Sequence, residues 1–174
     1  GQKHLQKGYI ITKNNDTLHG LINYKPDNSL SKECQFIQEK GKGSHIYFPG
    51  EIKGFSIVNK KYFISKSIEI EGVGKTIFLE YLINGVVDLY YYRESDREFY
   101  FLEKDSSMYQ LSNEEKVLVK NNNLYSKTSN QYVGMLKFAF QDLPEINKEI
   151  DKTSFDQKSL INITKSYHSG VCSD

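Results

Sequence analysis

The sequence predicts an α+β fold in which an antiparallel β-meander of about 8–10 strands, barrel-like or strongly curved, precedes two or three short helices. Short apolar runs with a period of two follow one another along the first two thirds of the chain. The turn sequences between them are too short for crossover helices, so neighbouring strands must be antiparallel. After residue 130 the apolar residues recur at helical spacing instead.

The meander begins with a hairpin and two short strands. Apolar runs flank Asn14-Asn15-Asp16, whose residues tolerate the left-handed backbone of a hairpin turn. Residues 34–39 and 45–48 are the next two predicted strands, and Pro49-Gly50 breaks the chain after them.

Further strands follow from Ile52 onward. Their turns are predicted at Asn59-Lys60, residues 71–74, Asn84-Gly85, Ser95-Asp96 and Asp105-Ser106. Asn84-Gly85 is the strongest turn signal, because a type I′ turn places both central residues at positive φ. The residues predicted to share one face of the strand at 61–70 are Tyr62, Ile64, Lys66, Ile68 and Ile70.

The chain divides into three predicted segments. Residues 1–112 form the sheet module, residues 113–129 a polar linker, and residues 130–174 a helical segment packed on the same domain. The apolar positions of the first two helices are Tyr132, Leu136, Ala139, Phe140, Leu143, Ile146 and Ile150, with Pro144 in the first turn of the second. The third helix is predicted to begin at the capping-box pair Ser154 and Gln157, to end at Gly170 and to bury Leu160, Ile161, Thr164 and Tyr167.

The charge balance excludes two classes of partner. With 23 basic and 22 acidic residues the net charge is +1, which gives no electrostatic footprint for nucleic acid or for anionic membranes. No apolar run approaches the roughly 20 residues that a membrane-spanning helix needs. We therefore expect neither a nucleic-acid partner nor a transmembrane segment, and the oligomeric state stays open.

One stretch resembles the second half of a nucleotide-binding P-loop. Its candidate residues are Gly72, Gly74, Lys75 and Thr76. The motif needs a further glycine where this chain has Glu69, and the residues that should open a helix instead read as a strand. We therefore predict a four-residue hairpin loop and no cofactor.

Catalytic and metal sites are also not predicted. Of the four histidines only His168 has a Cys or His at metal spacing, in Cys172, and two ligands do not make a closed zinc site. Glu69, Glu71 and Glu80 lie on consecutive strands and could face one another as the carboxylate pair of a glycosidase. The commoner role of such residues is the solvated face of a sheet, so we expect a non-enzymatic protein.

The aromatic hairpin at residues 88–104 is the most distinctive feature of the sequence. Its candidate binding residues are Tyr90, Tyr91, Tyr92, Arg93 and Tyr100. Because aromatics occupy both strand faces, one set packs in the core. The other set is covered by the helices or forms a recognition surface for a protein or a glycan.

The two cysteines, Cys34 and Cys172, are too far apart in sequence for a CxxC motif. In an oxidising compartment they could form a disulfide that ties the C-terminal segment to the body of the protein. The alternative is two unrelated thiols.

Three segments together resemble an uncharacterised family of exported Bacteroidetes proteins. They are the hairpin pattern of Gly8, Tyr9, Ile10, Asp16, Thr17, Leu18, Gly20 and Ile22, the run IKGFSI at 52–57, and residues 132–168. Members commonly begin with a signal peptide, and some continue into an outer-membrane barrel. The resemblance implies a periplasmic or cell-surface location, with Gln2 following a removed export signal and Gly1 a tag remnant. It implies no activity and no functional residues.

Three functions remain as hypotheses. The first is an exported cell-envelope module with a binding or assembly role, whose partner is an envelope protein or a glycan. The second is a carrier that holds an apolar ligand inside a closed barrel, in the manner of lipocalins. The third is a glycan-acting hydrolase that uses carboxylates on the sheet.

Overall fold

A computed structural model describes residues 4–25, 28–38, 43–59, 61–113, 115–128 and 130–172. It confirms the predicted α+β fold, with an antiparallel meander followed by three helices. Residues 1–3, on which the predicted tag remnant and export signal depend, and most of the turn between the third and fourth strands lie outside the described residues.

Ten strands form one sheet and two more form a separate hairpin. The strands are β1 (Leu5–Thr12), β2 (Thr17–Asn23), β3 (Cys34–Gln38), β4 (Ser44–Tyr47), β5 (Ile52–Ile57), β6 (Lys61–Ile70), β7 (Val73–Ile83), β8 (Asp88–Glu94), β9 (Arg97–Lys104), β10 (Ser107–Leu111), β11 (Glu115–Lys120) and β12 (Asn123–Thr128). The order in the sheet is β10-β9-β8-β7-β6-β5-β1-β2-β3-β4. Among the described residues no ladder joins β10 to β4, so the sheet is open and the barrel closure considered from the sequence is not found.

Tight turns with positive φ connect several of the strands. Both central residues have positive φ at Glu71-Gly72, Asp105-Ser106 and Asn121-Asn122, which is the type I′ pattern that matches strand twist. Asn15 adopts the same left-handed backbone, with φ of 67°, in the turn predicted between β1 and β2. The local turn chemistry of the sequence therefore sets most of the meander.

The type I′ geometry predicted for the strongest turn signal, Asn84-Gly85, is wrong. Neither residue has positive φ, and a four-residue loop joins β7 to β8. The Val87 amide donates a hydrogen bond to Nε2 of His168 at 3.1 Å. A Cβ added to Gly85 would lie 2.5 Å from the His168 ring, so this glycine permits a close approach and does not serve a tight turn.

The predicted polar linker is also structured. Within residues 113–129, β11 and β12 pair as an antiparallel hairpin, with Lys120 opposite Asn123. Its turn is the left-handed Asn121-Asn122 pair. The abundant asparagines that suggested a linker are therefore partly turn residues of a hairpin.

Three helices follow. They are α1 (Gln131–Ala139), α2 (Asn147–Asp151), which a 3₁₀ turn at Pro144–Ile146 precedes, and α3 (Gln157–Cys172). The seven apolar positions predicted for the first two helices are all buried. No helix in the described part of the chain combines the length and apolar character that crossing a membrane requires.

The third helix differs from its prediction at both ends. Its cap is Asp156, whose Oδ1 accepts a hydrogen bond from the Ser159 amide at 2.8 Å, and not Ser154. Ile163, and not Ile161, joins the other three predicted positions in the core. The helix continues through Gly170, where an added Cβ would lie 2.3 Å from Cδ2 of Leu143.

The chain forms two compact units. Unit 1 comprises Gly1–Tyr81 and Tyr91–Glu98, and unit 2 comprises Leu82–Tyr90 and Phe99–Asp174. The division between the units falls within β7, β8 and β9, and the helical segment, which was predicted to pack on the same domain as the sheet module, lies in unit 2 with β10. Each unit contains its own buried aromatic side chains.

Three phenylalanines on neighbouring strands form the centre of unit 1. Phe55 on β5 is fully buried, stacks on Phe63 at 4.8 Å between ring centroids, and meets Phe78 edge-on at 5.0 Å. Phe55 and Phe63 are directly opposite each other in the β5–β6 ladder. Each such aromatic pair contributes about 0.5–1.5 kcal/mol beyond the burial of its area.

A polar cluster connects the elements of unit 2. The hydroxyl of the buried Tyr167 donates to both carboxylate oxygens of Asp142 at 2.9 Å. Nζ of Lys104 donates to Oδ1 of Asp142 at 3.2 Å and to the carbonyl of Ala139 at 2.7 Å. The cluster thus joins β9, the end of α1 and α3.

The cluster predicts a pH dependence of stability. Burial alone would raise the pKa of Asp142, but hydrogen bonds from Tyr167 and Lys104 outweigh it and lower that pKa. A lowered carboxyl pKa adds stability that is present above the unfolded value of about 3.9 and is lost as pH falls through the folded value. We expect Asp142→Asn to lower the free energy of unfolding at pH 7 by about 1 kcal/mol and to flatten its decrease below pH 4, measured by denaturant titration.

Asp151→Asn is the matched control. Asp151 also forms an ion pair, with Lys137 at 2.7 Å. Its side chain is 57% exposed, compared with 51% for Asp142, and among the described residues no buried tyrosine donates a hydrogen bond to it. We expect this variant to change the free energy of unfolding by less than about 0.5 kcal/mol. Equal effects of the two substitutions would contradict the role assigned to the Asp142 cluster.

Candidate functional site

Unit 1 contains a pocket of about 320 Å³, at the small end of the range of about 300–1,000 Å³ for ligand sites. We call it the unit 1 pocket, since all its lining residues belong to that unit. They come from the 3₁₀ turn at Asn28–Ser31 with the residue Lys25 before it, and from β6, β7 and β8 with the turn that follows.

The floor of the pocket is part of the core. Phe63 and Phe78 line the pocket and also pack against Phe55. Leu30, which is 4% exposed, adds a third apolar side chain. Because core packing holds these side chains, the floor is preformed and apolar.

The rim of the pocket carries charged side chains. Nζ of Lys61 lies 3.3 Å from Oε1 of Glu80, and Nζ of Lys25 lies 3.6 Å from Oε1 of Glu33. Arg93 donates a hydrogen bond from Nε to the carbonyl of Ser95 at 3.1 Å, which orients its guanidinium. Glu80 is the partly buried member of these pairs, with a side chain that is 12% exposed.

Tyr91 places a neutral hydroxyl at the pocket. Its phenol donates to Oε1 of Glu98 at 3.0 Å. Burial, with the hydrogen bond and charge of Glu98, raises the pKa of Tyr91 to about 12, although Arg93 acts in the opposite direction. Tyr91 therefore stays protonated at neutral pH. It shares a face of β8 with Arg93, two residues further along.

The predicted aromatic surface is divided between the two units. Tyr90 and Tyr100 are buried in unit 2, where Tyr90 donates to Glu103 at 2.8 Å and Tyr100 meets another aromatic ring edge-on. Tyr91, Tyr92 and Arg93 line the unit 1 pocket, although Tyr92 is only 4% exposed. Three of the five predicted residues are therefore brought together at one site.

Sequence reasoning missed the rest of this site. Lys25, Leu30 and Ser31 precede the aromatic hairpin by some sixty residues, and no spacing relates them to it. It also missed an aromatic row on the other face of β6, where Tyr62 lies 5.6 Å from Tyr81. Tyr62 is directly opposite Ser56 in the β5–β6 ladder, and Ser56 is directly opposite Tyr9 in the β1–β5 ladder. Only a correct strand register could have predicted these pairings.

The P-loop candidates form a hairpin, as predicted, but with a tighter turn. Only Glu71 and Gly72 form the turn, and the other three candidates, Gly74, Lys75 and Thr76, lie in β7. Nζ of Lys75 lies 2.7 Å from Oε1 of Glu94, and this hydrogen bond raises the pKa of Lys75. The lysine is thus paired with a carboxylate, and an extended strand offers no helix N-terminus to a phosphate.

The three carboxylates considered for glycosidase chemistry do not converge. Glu69 is opposite Gly74, whereas Glu80 lies six residues further along β7, a separation of about 20 Å at strand rise. Glycosidase carboxyl groups are about 5–9.5 Å apart. Glu71 is bound by Arg97, with Nη1 and Oε1 2.8 Å apart. Within the described ranges no group of three or more His, Cys, Asp and Glu side chains could hold a metal ion.

The comparisons do not assign this site. Searches of family models, curated proteins and solved structures find no match to the chain. Because a fold by itself does not determine a function, the unit 1 pocket is the feature from which we infer a function.

The two cysteines are free thiols, so the disulfide considered from the sequence is not formed in the structure. Cys34 is buried at the start of β3, and burial raises the pKa of its thiol to about 12. Cys172 is exposed at the end of α3.

These environments predict a large difference in thiol reactivity. A pKa of about 12 leaves about one Cys34 thiol in ten thousand ionised at pH 8, and burial also excludes the reagent. With a thiol-disulfide indicator dye we expect one fast thiol per native chain and two per chain in denaturant. Cys172→Ser should remove the fast one. Failure of both thiols to react in denaturant without reductant would instead indicate a disulfide.

Proposed function

We propose that this chain is an exported module of the cell envelope that binds a glycan in the unit 1 pocket and catalyses no reaction on it. The observation that carries the proposal is the composition of the pocket, an apolar floor made of core phenylalanines below a rim of hydrogen-bonding side chains. Such concave sites with a few convergent polar groups are the usual form of small-ligand sites.

A glycan fits this pocket better than a protein partner does. A stable protein interface buries about 1,200–2,000 Å² in total, whereas this pocket is sized for a single ring. The apolar faces of a sugar ring pack on aromatic side chains, and its hydroxyls need donors and acceptors close by. Tyr91 offers an aromatic ring with a hydroxyl, and Ser31 and Ser95 add polar groups to the lining.

The two alternative functions have less support. A lipocalin-like carrier needs an enclosed lumen, and the sheet is open. A hydrolase needs two carboxylates at the site, and Glu80 is the one carboxylate among the described residues that line the unit 1 pocket.

The exported location is supported by the resemblance to exported Bacteroidetes proteins. The hairpin glycines of that pattern have a structural reason here, because Gly8 and Gly20 are directly opposite each other in the β1–β2 ladder. A Cβ would lie 2.4 Å from the Ser56 carbonyl oxygen at Gly8 and 2.3 Å from the Ile37 carbonyl oxygen at Gly20. The pattern thus matches a hairpin whose strands approach their neighbours closely.

The proposal predicts glycan binding that depends on Tyr91. We expect the purified chain to bind at least one member of a panel of bacterial and host polysaccharide fragments, measured on an array and then by calorimetry. Tyr91→Ala should weaken that binding about tenfold, because it removes a ring and a hydroxyl from the site. Mass spectrometry should find the bound fragment unchanged after prolonged incubation.

Tyr109→Ala is the control for loss of a tyrosine. Tyr109 lies in unit 2, where it meets Phe138 edge-on, and it does not line the unit 1 pocket. Its replacement should leave the affinity unchanged. Binding of no fragment by the wild-type chain, or equal weakening by the two substitutions, would overturn the proposal, and cleavage of the fragment would overturn its non-enzymatic part.

A further inference from the structure

We propose that unit 1 has a second binding surface, an aromatic row that holds an extended neutral oligosaccharide chain. The members of the aromatic row stand side by side on five neighbouring strands and are His19, Tyr9, Ser56, Tyr62 and Tyr81. Tyr62 and Tyr81 are the sequence neighbours of the pocket residues Phe63 and Glu80, so they project from the opposite face of the sheet. The inference is therefore independent of the function proposed for the unit 1 pocket.

The strand register brings the five side chains of the aromatic row together. Tyr9 is directly opposite both His19 on β2 and Ser56 on β5. Ser56 is in turn opposite Tyr62 on β6, and the β6–β7 register continues the row to Tyr81. Residues that are opposite each other in a ladder project from the same face of a sheet. Because neighbouring strands are about 4.8 Å apart, the row extends for about 19 Å across the strands.

Two aromatic pairs form the two ends of the row. The ring centroids of Tyr9 and His19 are 5.7 Å apart, and those of Tyr62 and Tyr81 are 5.6 Å apart. The small side chain of Ser56 separates the two pairs. The rings are tilted by 56° within the first pair and by 47° within the second, so neither pair presents one flat plane. Tilted rings suit a single soluble chain, whose successive sugar rings can turn, better than the flat surface of a crystalline polymer.

The hydroxyls of Tyr9 and Tyr62 are available to a ligand. Both tyrosines are half-buried, and among the described residues no hydrogen bond occupies either hydroxyl. Burial, together with the nearby phenol of Tyr9, raises the pKa of Tyr62, so Tyr62 is protonated and neutral at pH 7. A protonated phenol both donates and accepts hydrogen bonds, which is what sugar hydroxyls need from a site.

The surroundings of the row favour a neutral ligand. The row on one side of it contains no charged residue and consists of Thr17, Ile11, Gly54, Ile64 and Leu79. On the other side Lys7, opposite Leu21, is the one charged residue among the described ladder positions. A single lysine does not supply the series of phosphate contacts that a single-stranded nucleic acid needs. The surface therefore complements an uncharged chain.

The area of this surface is too small for a stable protein partner. The aromatic row and its two flanking rows cover about 19 Å by about 14 Å, or about 270 Å². A stable protein interface buries about 800 Å² on each partner. A chain of about four hexose units matches the length of the row and is only one ring wide.

The test is a length series of neutral oligosaccharides, measured by calorimetry. The probes are the cello-, manno- and chito-oligosaccharides from the monosaccharide to the hexasaccharide. For at least one of these series we expect the affinity to increase about tenfold from the disaccharide to the tetrasaccharide. It should then level off, because about four units fill the row.

Substitutions in the row should reduce the gain in affinity with chain length. Tyr62→Ala removes a ring and a hydroxyl and should weaken binding of the tetrasaccharide about tenfold. Tyr62→Phe keeps the ring, and His19→Ala changes an exposed side chain, so each should weaken it about threefold and keep the fold. Thermal unfolding checks each variant, and the last two keep the test decisive if Tyr62→Ala does not fold.

Two tyrosines outside the row serve as controls. Tyr91 lines the unit 1 pocket on the opposite face, and Tyr109 lies in unit 2. Tyr91→Ala and Tyr109→Ala should both retain the increase of affinity with chain length. Loss of that increase in Tyr91→Ala would overturn the inference, because the pocket would then hold the chain.

The remaining outcomes separate this inference from the function proposed for the pocket. Equal affinity for the disaccharide and the tetrasaccharide, or unchanged length dependence in the His19 and Tyr62 variants, would overturn the aromatic row as a glycan site. Tighter binding of an oligothymidylate, or a concentration-dependent dimer that Tyr62→Ala abolishes, would also overturn it, in favour of a nucleic acid or a second copy of the chain. The proposed function of the pocket survives each of these results, since it is tested by fragments whose binding depends on Tyr91.

Discussion

The packing of Phe63 and Phe78 against Phe55 is the interaction on which the candidate site depends. These rings occupy neighbouring strands and are held by a stacked and an edge-on contact at 4.8 and 5.0 Å. Core packing therefore holds Phe63, which is 5% exposed, and the fully buried Phe78 in place at the floor of the pocket without a ligand. If the pocket binds a glycan as proposed, a preformed floor lowers the entropy cost of that binding.

The rim differs from the floor in how firmly it is held. Lys25 pairs with Glu33 through two partly exposed side chains, Lys61 pairs with Glu80, whose side chain is only 12% exposed, and Arg93 donates to a backbone carbonyl. The floor is therefore part of the core of unit 1, whereas the rim consists of side chains that are at least partly exposed. Because the floor and the rim use different side chains, a change at Lys25 should leave the floor intact.

Sequence reasoning succeeded where structure is set by neighbours in the chain. Strand alternation and turn residues with positive φ are local, so the meander and the hairpin at Glu71-Gly72 could be predicted, and the missing glycine at Glu69 was enough to reject a P-loop. It failed where a residue far away in the sequence determines the local geometry. Asn84-Gly85 has a turn sequence, but the position of the His168 ring explains its glycine. The strand at 61–70 also buries Phe63, which lies on the face opposite to the predicted row of Tyr62, Ile64, Lys66, Ile68 and Ile70.

The same difference between local and long-range interactions explains why the site was only partly predicted. Tyr91 and Arg93 are adjacent in the sequence to residues that pack in the core, and composition alone cannot say which tyrosine faces which way. The lysines and the 3₁₀ turn reach the pocket through tertiary folding, for which a single sequence gives no spacing rule. What the sequence does contain is an arginine two residues from a tyrosine on one strand. That pairing has meaning only because a strand alternates its faces, so that one strand brings both an aromatic ring and a guanidinium to the lining of the pocket.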